Sequence, residues 1–129
     1  MEIIENIGDG NCLFRALGSK LDVDHLVLRR EVAEFAYYNP ETPLMQETVE
    51  YWVKSNDYSC IHQYAQKISQ NGVYGSALEI AIISKLYKRR IVVWIPEEKG
   101  IRSIGVYEGK KPTIHLYYTT NHYRLLSFD

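Results

Sequence analysis

The spacing of apolar residues changes once along the chain, near residue 89, and this change restricts the folds open to it. Before that point apolar residues recur at helical spacing, as in ALEIAIISKLY at residues 77–87. Beyond it come four runs rich in β-branched and aromatic residues, a composition typical of strands: RIVVWIP, IRSIGVY, TIHLYY and HYRLLSF. Helices first and strands last, without regular alternation, predict an α+β fold. In it a small, mostly antiparallel sheet at the C-terminal part packs against several N-terminal helices.

Helices are predicted in five places before the strands. The first begins at Cys12, and the others cover residues 25–38, 45–54, 58–69 and 77–87. Asp24 caps the second helix, and Ser76 or Gly75 opens the last. The segment NPETP ends the second of them, because proline supplies no N–H and constrains the residue before it. We expect this second helix to share one apolar face among Leu26, Val27, Arg30, Val32, Ala33, Ala36 and Tyr37. In the last helix, Glu79 lies between Leu78 and Ile80 and is either buried there or, as its spacing allows, pointed outward.

Composition places the chain among ordinary globular proteins. It has 129 residues, of which 46% are hydrophobic, and a formal net charge of -1. We therefore predict a single domain over residues 1–129, with no charge-based reason for a nucleic-acid or membrane partner. No apolar run reaches the roughly 18 residues of a membrane span, and the first residues do not resemble a secretory signal. The sequence thus favours a cytoplasmic protein with free thiols, and a monomer.

The stretch GDGNCLFRAL, residues 8–17, places a cysteine where a loop becomes a helix. Gly8, Asp9, Gly10 and Asn11 favour a turn, and Leu13, Phe14, Ala16 and Leu17 suit the apolar side of a helix. Cys12 then lies in the first helical turn, where free N–H groups and the helix dipole favour a thiolate. A buried structural cysteine does not need that position, whereas a nucleophile benefits from it.

One of the four histidines is the best candidate for a base that activates this thiol. His25 lies at a helix start, His62 on a polar helix and His115 inside a strand, and each has a simple structural explanation. His122 follows a turn and opens the last strand, so its ring can project from the end of the sheet. No metal or cofactor is expected, because Cys60 and His62 lack a second pair of ligands.

Three ordered blocks of the sequence resemble the ovarian tumour (OTU) family of cysteine proteases, whose members remove ubiquitin from proteins. GDGNCLFRAL resembles the family's cysteine box, and NGVYGSALEIAIISKLYKRRIVVW its helix-then-strand segment. TIHLYYTTNHYRLL resembles the closing strand pair, in which an aromatic residue follows the catalytic histidine. The resemblance implies a papain-like OTU fold and a thiol-dependent deubiquitinase.

Roles follow from the resemblance residue by residue. Cys12 is the implied nucleophile and His122 its base, with Asp9 also assigned to the site. The backbone N–H groups of Asp9, Gly10, Asn11 and Cys12 are implied donors to the oxyanion. Tyr74, Gly75 and Tyr123 match positions that the family places near the substrate cleft.

One departure from the family leaves the third catalytic member open. Many members place Asp or Asn two residues after the histidine, but here Arg124 stands there and cannot accept a hydrogen bond. The group that orients His122 is then Asp9, Asn121, a backbone carbonyl or nothing.

The leading hypothesis is hydrolysis of the isopeptide bond after the C-terminal Gly-Gly of ubiquitin, with ubiquitin-like modifiers as further candidates. Ubiquitin or polyubiquitin is then the partner, in the host cytosol if the source is viral or bacterial. Two alternatives stay open: a weak or inactive ubiquitin-binding pseudoenzyme, and a protease that processes a viral or replicon polyprotein.

Overall fold

The computed structural model describes residues 1–128, so Asp129, the last residue of the predicted domain, lies outside it. The helices are α1 Cys12–Leu21, α2 His25–Tyr38, α3 Val49–Ser55, α4 Ile61–Ile68 and α5 Ala77–Tyr87. The strands are β1 Glu2–Ile4, β2 Pro43–Leu44, β3 Glu47–Thr48, β4 Arg89–Glu97, β5 Gly100–Tyr107, β6 Lys110–Thr119 and β7 His122–Ser127. Over this part of the chain, no helix is long and apolar enough to cross a membrane.

The main sheet has five strands in the order β1-β7-β6-β4-β5. β4 and β6 run parallel, and every other neighbouring pair in this sheet is antiparallel. A separate two-stranded hairpin, β2-β3, precedes α3. The predicted α+β class with a mostly antiparallel C-terminal sheet is therefore confirmed.

A two-residue turn determines where the last strand begins. Thr119 pairs with His122, and between them Thr120 and Asn121 both have positive φ, 26° and 61°. Positive φ at both central residues suits a tight hairpin, because its twist matches that of the flanking strands. β7 therefore starts at His122, at the end of the sheet that faces the start of α1.

The helices bury their apolar faces against each other and against the sheet. α1 is packed between β7 and α2, with Leu13, Phe14 and Leu17 fully buried. On α2 the buried residues are Leu28, Arg29, Val32, Ala33 and Ala36, whereas Arg30, Leu26 and Tyr37 are exposed. The predicted face was wrong by about one residue: Arg29 replaces Arg30 on the inner side.

The structure corrects three other expectations. Residues 43–48 form the β2-β3 hairpin, with Met45 and Gln46 at positive φ, so α3 begins only at Val49, where the Thr48 side chain accepts the N–H of Tyr51. The predicted fourth helix is shorter and begins at Ile61. β1 was not predicted at all. It pairs Ile4 with Leu125 and so joins the two ends of the chain in one ladder.

Candidate active site

Cys12 is the first residue of α1, and its side chain is 1% exposed. The backbone N–H of Tyr123 donates to Sγ at 3.4 Å, and the thiol lies 3.8 Å from the carbonyl oxygen of Asn121. Both partners flank His122 in the chain, at the point where the turn becomes β7. The fold therefore brings the cysteine of α1 against the backbone on either side of this histidine.

His122 is half-buried at the edge of an open groove of about 430 Å³. The groove is also lined by Gly8, Asp9, Tyr74 and Asn121. Gly8 lies beside the ring, since a Cβ built on it would be 4.0 Å from Cε1 of His122. Within residues 1–128 neither ring nitrogen of His122 has a hydrogen-bond partner, so both are free to meet a substrate or a thiol.

The loop before α1 already uses several of its own N–H groups. Asp9 N–H donates to the Ile7 carbonyl, Asn11 N–H to Oδ1 of Asp9 at 3.0 Å, and Cys12 N–H to the Asp9 carbonyl at 3.2 Å. The N–H of Gly10 has no acceptor in the described part of the chain. Of the four backbone groups predicted to be oxyanion donors, Gly10 N–H is thus the one left unpaired.

Asp9 orders this loop from both oxygens of its carboxylate. Oδ1 accepts the N–H of Asn11, and Oδ2 accepts from the Arg15 guanidinium at 3.2 Å. Burial raises the pKa of Asp9, but the Arg15 side chain and the Asn11 N–H outweigh it and hold that pKa below its ordinary value. No hydrogen bond joins Asp9 to His122 within residues 1–128.

Asn121, the other side chain predicted to orient His122, is also engaged elsewhere, as is Arg124, which stands where many family members have an acceptor. Oδ1 of Asn121 accepts from the Tyr118 hydroxyl at 3.3 Å. Arg124 donates to the Glu5 carboxylate at 3.0 Å and to the Thr119 hydroxyl at 3.3 Å. The structure thus assigns no side chain of residues 1–128 to orient the His122 ring.

A buried arginine holds the underside of the same loop. The Arg29 guanidinium, with the residue 0% exposed, donates to the carbonyls of Gly10, Ile68 and Val73 and to Oδ1 of Asn11. That Asn11 oxygen also accepts the N–H of Gly72 at 2.9 Å, so two loops share one network. Burial lowers the pKa of Arg29, while the charges of Glu79 and Asp9 raise it.

The three predicted substrate contacts have different surroundings. Tyr74 is 57% exposed and lines the groove. Gly75 lies under α1, where an added Cβ would be 2.6 Å from Leu13. The side chain of Tyr123 is buried beside Tyr118, and its backbone rather than its ring reaches Cys12.

Two residues of the site, Asn6 and Arg29, escaped the sequence analysis. Arg29 lies at i, i+3, i+4 and i+7 with Val32, Ala33 and Ala36, a spacing that could have indicated burial. A charged residue is normally exposed, which is why Arg29 was overlooked. Asn6 gave no signal, because its partners are carbonyls of Cys12 and Tyr123, brought close only by the fold.

Glu79 points inward from α5 and is 3% exposed, so of the two directions that the sequence left open the structure has the buried one. Its carboxylate accepts from the Tyr64 hydroxyl at 2.5 Å and from the N–H of Ser76 at 2.6 Å. Burial raises the pKa of Glu79, although these hydrogen bonds partly oppose the effect. The carboxyl therefore connects α4 to the start of α5 immediately after Tyr74 and Gly75.

This burial predicts a pH-dependent stability. With its pKa raised on folding, Glu79 binds its proton more tightly in the folded state. Its stabilisation is thus full below the unfolded pKa and is lost as pH rises through the folded pKa. We expect the difference in free energy of unfolding between wild type and Glu79→Gln to decrease as the pH rises above about 4.5. The decrease is at most about 1.4 kcal/mol per pH unit. Urea denaturation across pH measures it. Glu34→Gln, at an exposed position, is the control. A stability difference between wild type and Glu79→Gln that does not change with pH would contradict the expectation.

The fold packs a helix that begins at a cysteine against a strand that begins at a histidine, and these two residue types act as nucleophile and base in thiol-dependent catalysis. Residues 7–124 match the family described as OTU: OTU-like cysteine protease. Because that match covers most of the chain, the chain belongs to the OTU-like cysteine protease family.

Two curated relatives resemble the chain in sequence. "Putative ubiquitin thioesterase L96" of Tipula iridescent virus is 27% identical over 139 residues, covering 98% of this chain and 16% of that protein. The Arabidopsis thaliana protein named OVARIAN TUMOR DOMAIN-containing deubiquitinating enzyme 3 is 29% identical over 120 residues, covering 81% of this chain and 50% of that protein. The chain thus spans half or less of the length of either relative.

Solved structures share the fold. The viral OTU domain protease of Dera Ghazi Khan virus matches with a TM-score of 0.78 and 21% identity, covering 96% of this chain and 78% of that one. An OTU domain solved in complex with ubiquitin matches with a TM-score of 0.73 and 22% identity, covering 96% of this chain and 67% of that one. These similarities establish the OTU fold.

Proposed function

We propose that the protein is a deubiquitinase that hydrolyses the isopeptide bond after the C-terminal Gly-Gly of ubiquitin, with Cys12 as nucleophile and His122 as general base. The observation that carries the proposal is the contact of Cys12 Sγ with the N–H of Tyr123, the residue after His122. Family membership and the names of the two relatives support the substrate class. A cytoplasmic site of action stays a prediction.

The reaction begins with proton transfer from the Cys12 thiol to His122. The thiolate then attacks the carbonyl carbon of the last glycine of ubiquitin, and the carbonyl oxygen becomes an oxyanion. His122 returns the proton to the leaving lysine amine, which leaves a thioester between Cys12 and ubiquitin. Water, deprotonated by His122, attacks this thioester and releases the free carboxylate of ubiquitin and the thiol.

The oxyanion is stabilised by backbone N–H groups of the loop before α1. The N–H of Gly10 has no acceptor among residues 1–128, which suits a donor reserved for the substrate. The start of α1 adds its dipole at the same place. Loss of one such donor in comparable sites slows reaction by about 100- to 1,000-fold, so this loop is a large part of the proposed catalysis.

The groove beside His122 accommodates the approaching ubiquitin tail. Gly8 leaves its floor without a side chain, and Tyr74 forms an exposed aromatic wall. An extended tail of two glycines needs little width, because neither residue carries a side chain. We propose that Tyr74 holds this tail in place and that Gly75 supports α1 from beneath.

Labelling by ubiquitin whose C-terminus carries a thiol-reactive warhead tests the proposal. We expect wild type to form a one-to-one adduct, Cys12→Ala to form none, and His122→Ala to react at least about 100-fold more slowly, since a general base contributes about that much. The matched control is Cys60→Ala. Cys60 is exposed, and the N–H of Gln63 lowers its thiol pKa, so an unguided reagent would attack Cys60 first. We expect Cys60→Ala to label like wild type.

Other outcomes select the rival functions. An unlabelled wild type that still binds ubiquitin would support the pseudoenzyme, which the unpaired ring of His122 favours. Neither labelling nor binding would leave the polyprotein protease, and labelling lost in Cys60→Ala would contradict the assignment of Cys12.

A further inference from the structure

The side chain of Asn6 joins the two segments that carry the proposed catalytic pair. Its Nδ2 donates to the carbonyl oxygen of Cys12 at 2.9 Å and to that of Tyr123 at 3.0 Å. Cys12 is the first residue of α1, and Tyr123 is the second residue of β7. One half-buried amide therefore bridges backbone atoms that lie 111 residues apart in sequence.

The surroundings of Asn6 fix the orientation of this amide. Its Oδ1 accepts the N–H of Ile7 at 2.9 Å, which only an oxygen can do. Nδ2 then faces the two carbonyls, which can only accept. Asn6 thus uses both amide hydrogens and its oxygen, and a residue without an NH2 group cannot make the same bridge.

The position of Asn6 also explains why a side chain, rather than the backbone, makes the bond to Tyr123. β1 pairs with β7 as Glu2 with Ser127, Ile3 with Leu126 and Ile4 with Leu125, and the same register would place residue 6 opposite Tyr123. The backbone ladder stops at Ile4, because the chain turns away toward Gly8 and Asp9. The Asn6 side chain supplies the missing bond to Tyr123 and adds a second bond to α1.

We propose that Asn6 is a positioning residue that holds the Cys12 end of α1 against the His122 end of β7. The catalytic consequence of this inference rests on the proposed function, whereas the hydrogen bonds made by Asn6 do not depend on it. Asn6 also lines the groove beside His122, but its amide is engaged with the backbones of Cys12 and Tyr123, and it acts through them. Its loss lets the two segments separate, so that the N–H of Tyr123 no longer reaches Cys12 Sγ.

The pH dependence of Cys12 alkylation by iodoacetamide measures this directly. Cys60→Ala is the background, so that Cys12 is the one remaining cysteine of two. A thiolate that loses an N–H donor is less stable, so we expect Asn6→Ala to move the alkylation midpoint upward by about one pH unit. Asn6→Ser retains one donor, and we expect about half that shift. Asn6→Ser also serves if Asn6→Ala folds poorly.

A matched control separates positioning from a general loss of stability. The Asn39 side chain makes a similar bond to a backbone carbonyl, that of Phe35 at 3.0 Å, at the far end of α2. We expect Asn39→Ala to lower the melting temperature by less than Asn6→Ala does, because the Phe35 carbonyl keeps the backbone N–H of Asn39. The alkylation midpoint should move only for Asn6→Ala. An unchanged midpoint in the Asn6 variants, or an equal shift in Asn39→Ala, would overturn the inference.

The ubiquitin warhead distinguishes failure of this inference from failure of the proposed function. We expect Asn6→Ala to label about 10- to 100-fold more slowly than wild type with an unchanged Kd for ubiquitin, because a small displacement of reacting groups costs that much in rate. If wild type does not label at all, the deubiquitinase proposal fails, and the alkylation midpoints still decide the role of Asn6.

Discussion

Replacing Arg29 by methionine is expected to lower the free energy of unfolding by about 3–5 kcal/mol, the range for removing one partner from a buried charged network. Methionine fills similar space but donates no hydrogen bond. The carbonyls of Gly10, Ile68 and Val73 and the Asn11 side chain would then lose donors at 2.7–3.2 Å. A buried acceptor left unpaired costs about 1–3 kcal/mol. The guanidinium also lies 4.3 Å from the centre of the Phe14 ring, and that contact would be lost too.

Urea denaturation measures this effect, and the adjacent residue provides the control. Arg30 belongs to the same helix but is exposed, so we expect Arg30→Met to change the free energy of unfolding by less than about 0.5 kcal/mol. A free energy of unfolding for Arg29→Met within about 1 kcal/mol of wild type would equal roughly one ordinary hydrogen bond. That result would show that the Arg29 network does not stabilise the fold to the extent expected.

Replacing Gly10 by alanine is expected to slow ubiquitin-warhead labelling by at least about 100-fold, the effect of misplacing an oxyanion donor. A Cβ on Gly10 would lie 1.7 Å from the carbonyl oxygen of Gly72. Both partners in this clash are backbone, so one loop has to shift. Because the N–H of Gly72 is bonded to Asn11, which lies between Gly10 and Cys12, a shift of either loop also displaces the Gly10–Cys12 segment. Such overpacking also destabilises by about 1–3 kcal/mol.

A second glycine of the same loop is the matched control for folding. A Cβ on Gly8 meets nothing closer than His122 Cε1 at 4.0 Å, which is an ordinary contact. We expect Gly8→Ala to keep the wild-type melting temperature, and Gly10→Ala to lower it. Labelling of Gly10→Ala within tenfold of the wild-type rate would contradict the close packing of the two loops.

The sequence predicted the elements whose patterns are local. α2, α5 and the run of strands from β4 to β7 follow periodicity and turn residues, and they occur within three residues of their expected limits. Residues 45–48 of the β2-β3 hairpin were taken for helix. Met45 and Gln46 both have positive φ there, and neither residue type normally favours that conformation. β1 has only three residues and exists through its pairing with β7, so nothing near it in sequence indicates a strand.

The same distinction applies to the site. Cys12 and His122 were singled out from local motifs and a family resemblance, and their catalytic roles remain proposals. The groups that hold them were not predictable in this way, because their partners lie elsewhere in the sequence. The Asn6 side chain donates to carbonyls 6 and 117 residues away, and Arg29 to groups 18 to 44 residues away. Glu79 accepts from groups 3 and 15 residues away. Polar residues of this kind are expected at the surface. Only the folded chain shows that their donors and acceptors meet inside.

The β1-β7 ladder has a consequence for how the molecule reaches its working state. β7 carries His122 and pairs with β1, whereas Cys12 follows β1 by only a few residues, so the site closes across almost the whole length of the chain. Contacts of such long sequence separation form late, because a large loop must be closed before they contribute any stability. The helices α1 to α5 all precede β7 in the sequence. Until β7 pairs with β1 and β6, the Cys12 thiol lacks both the Tyr123 N–H and His122, so the proposed active site is assembled only when this hairpin is in place.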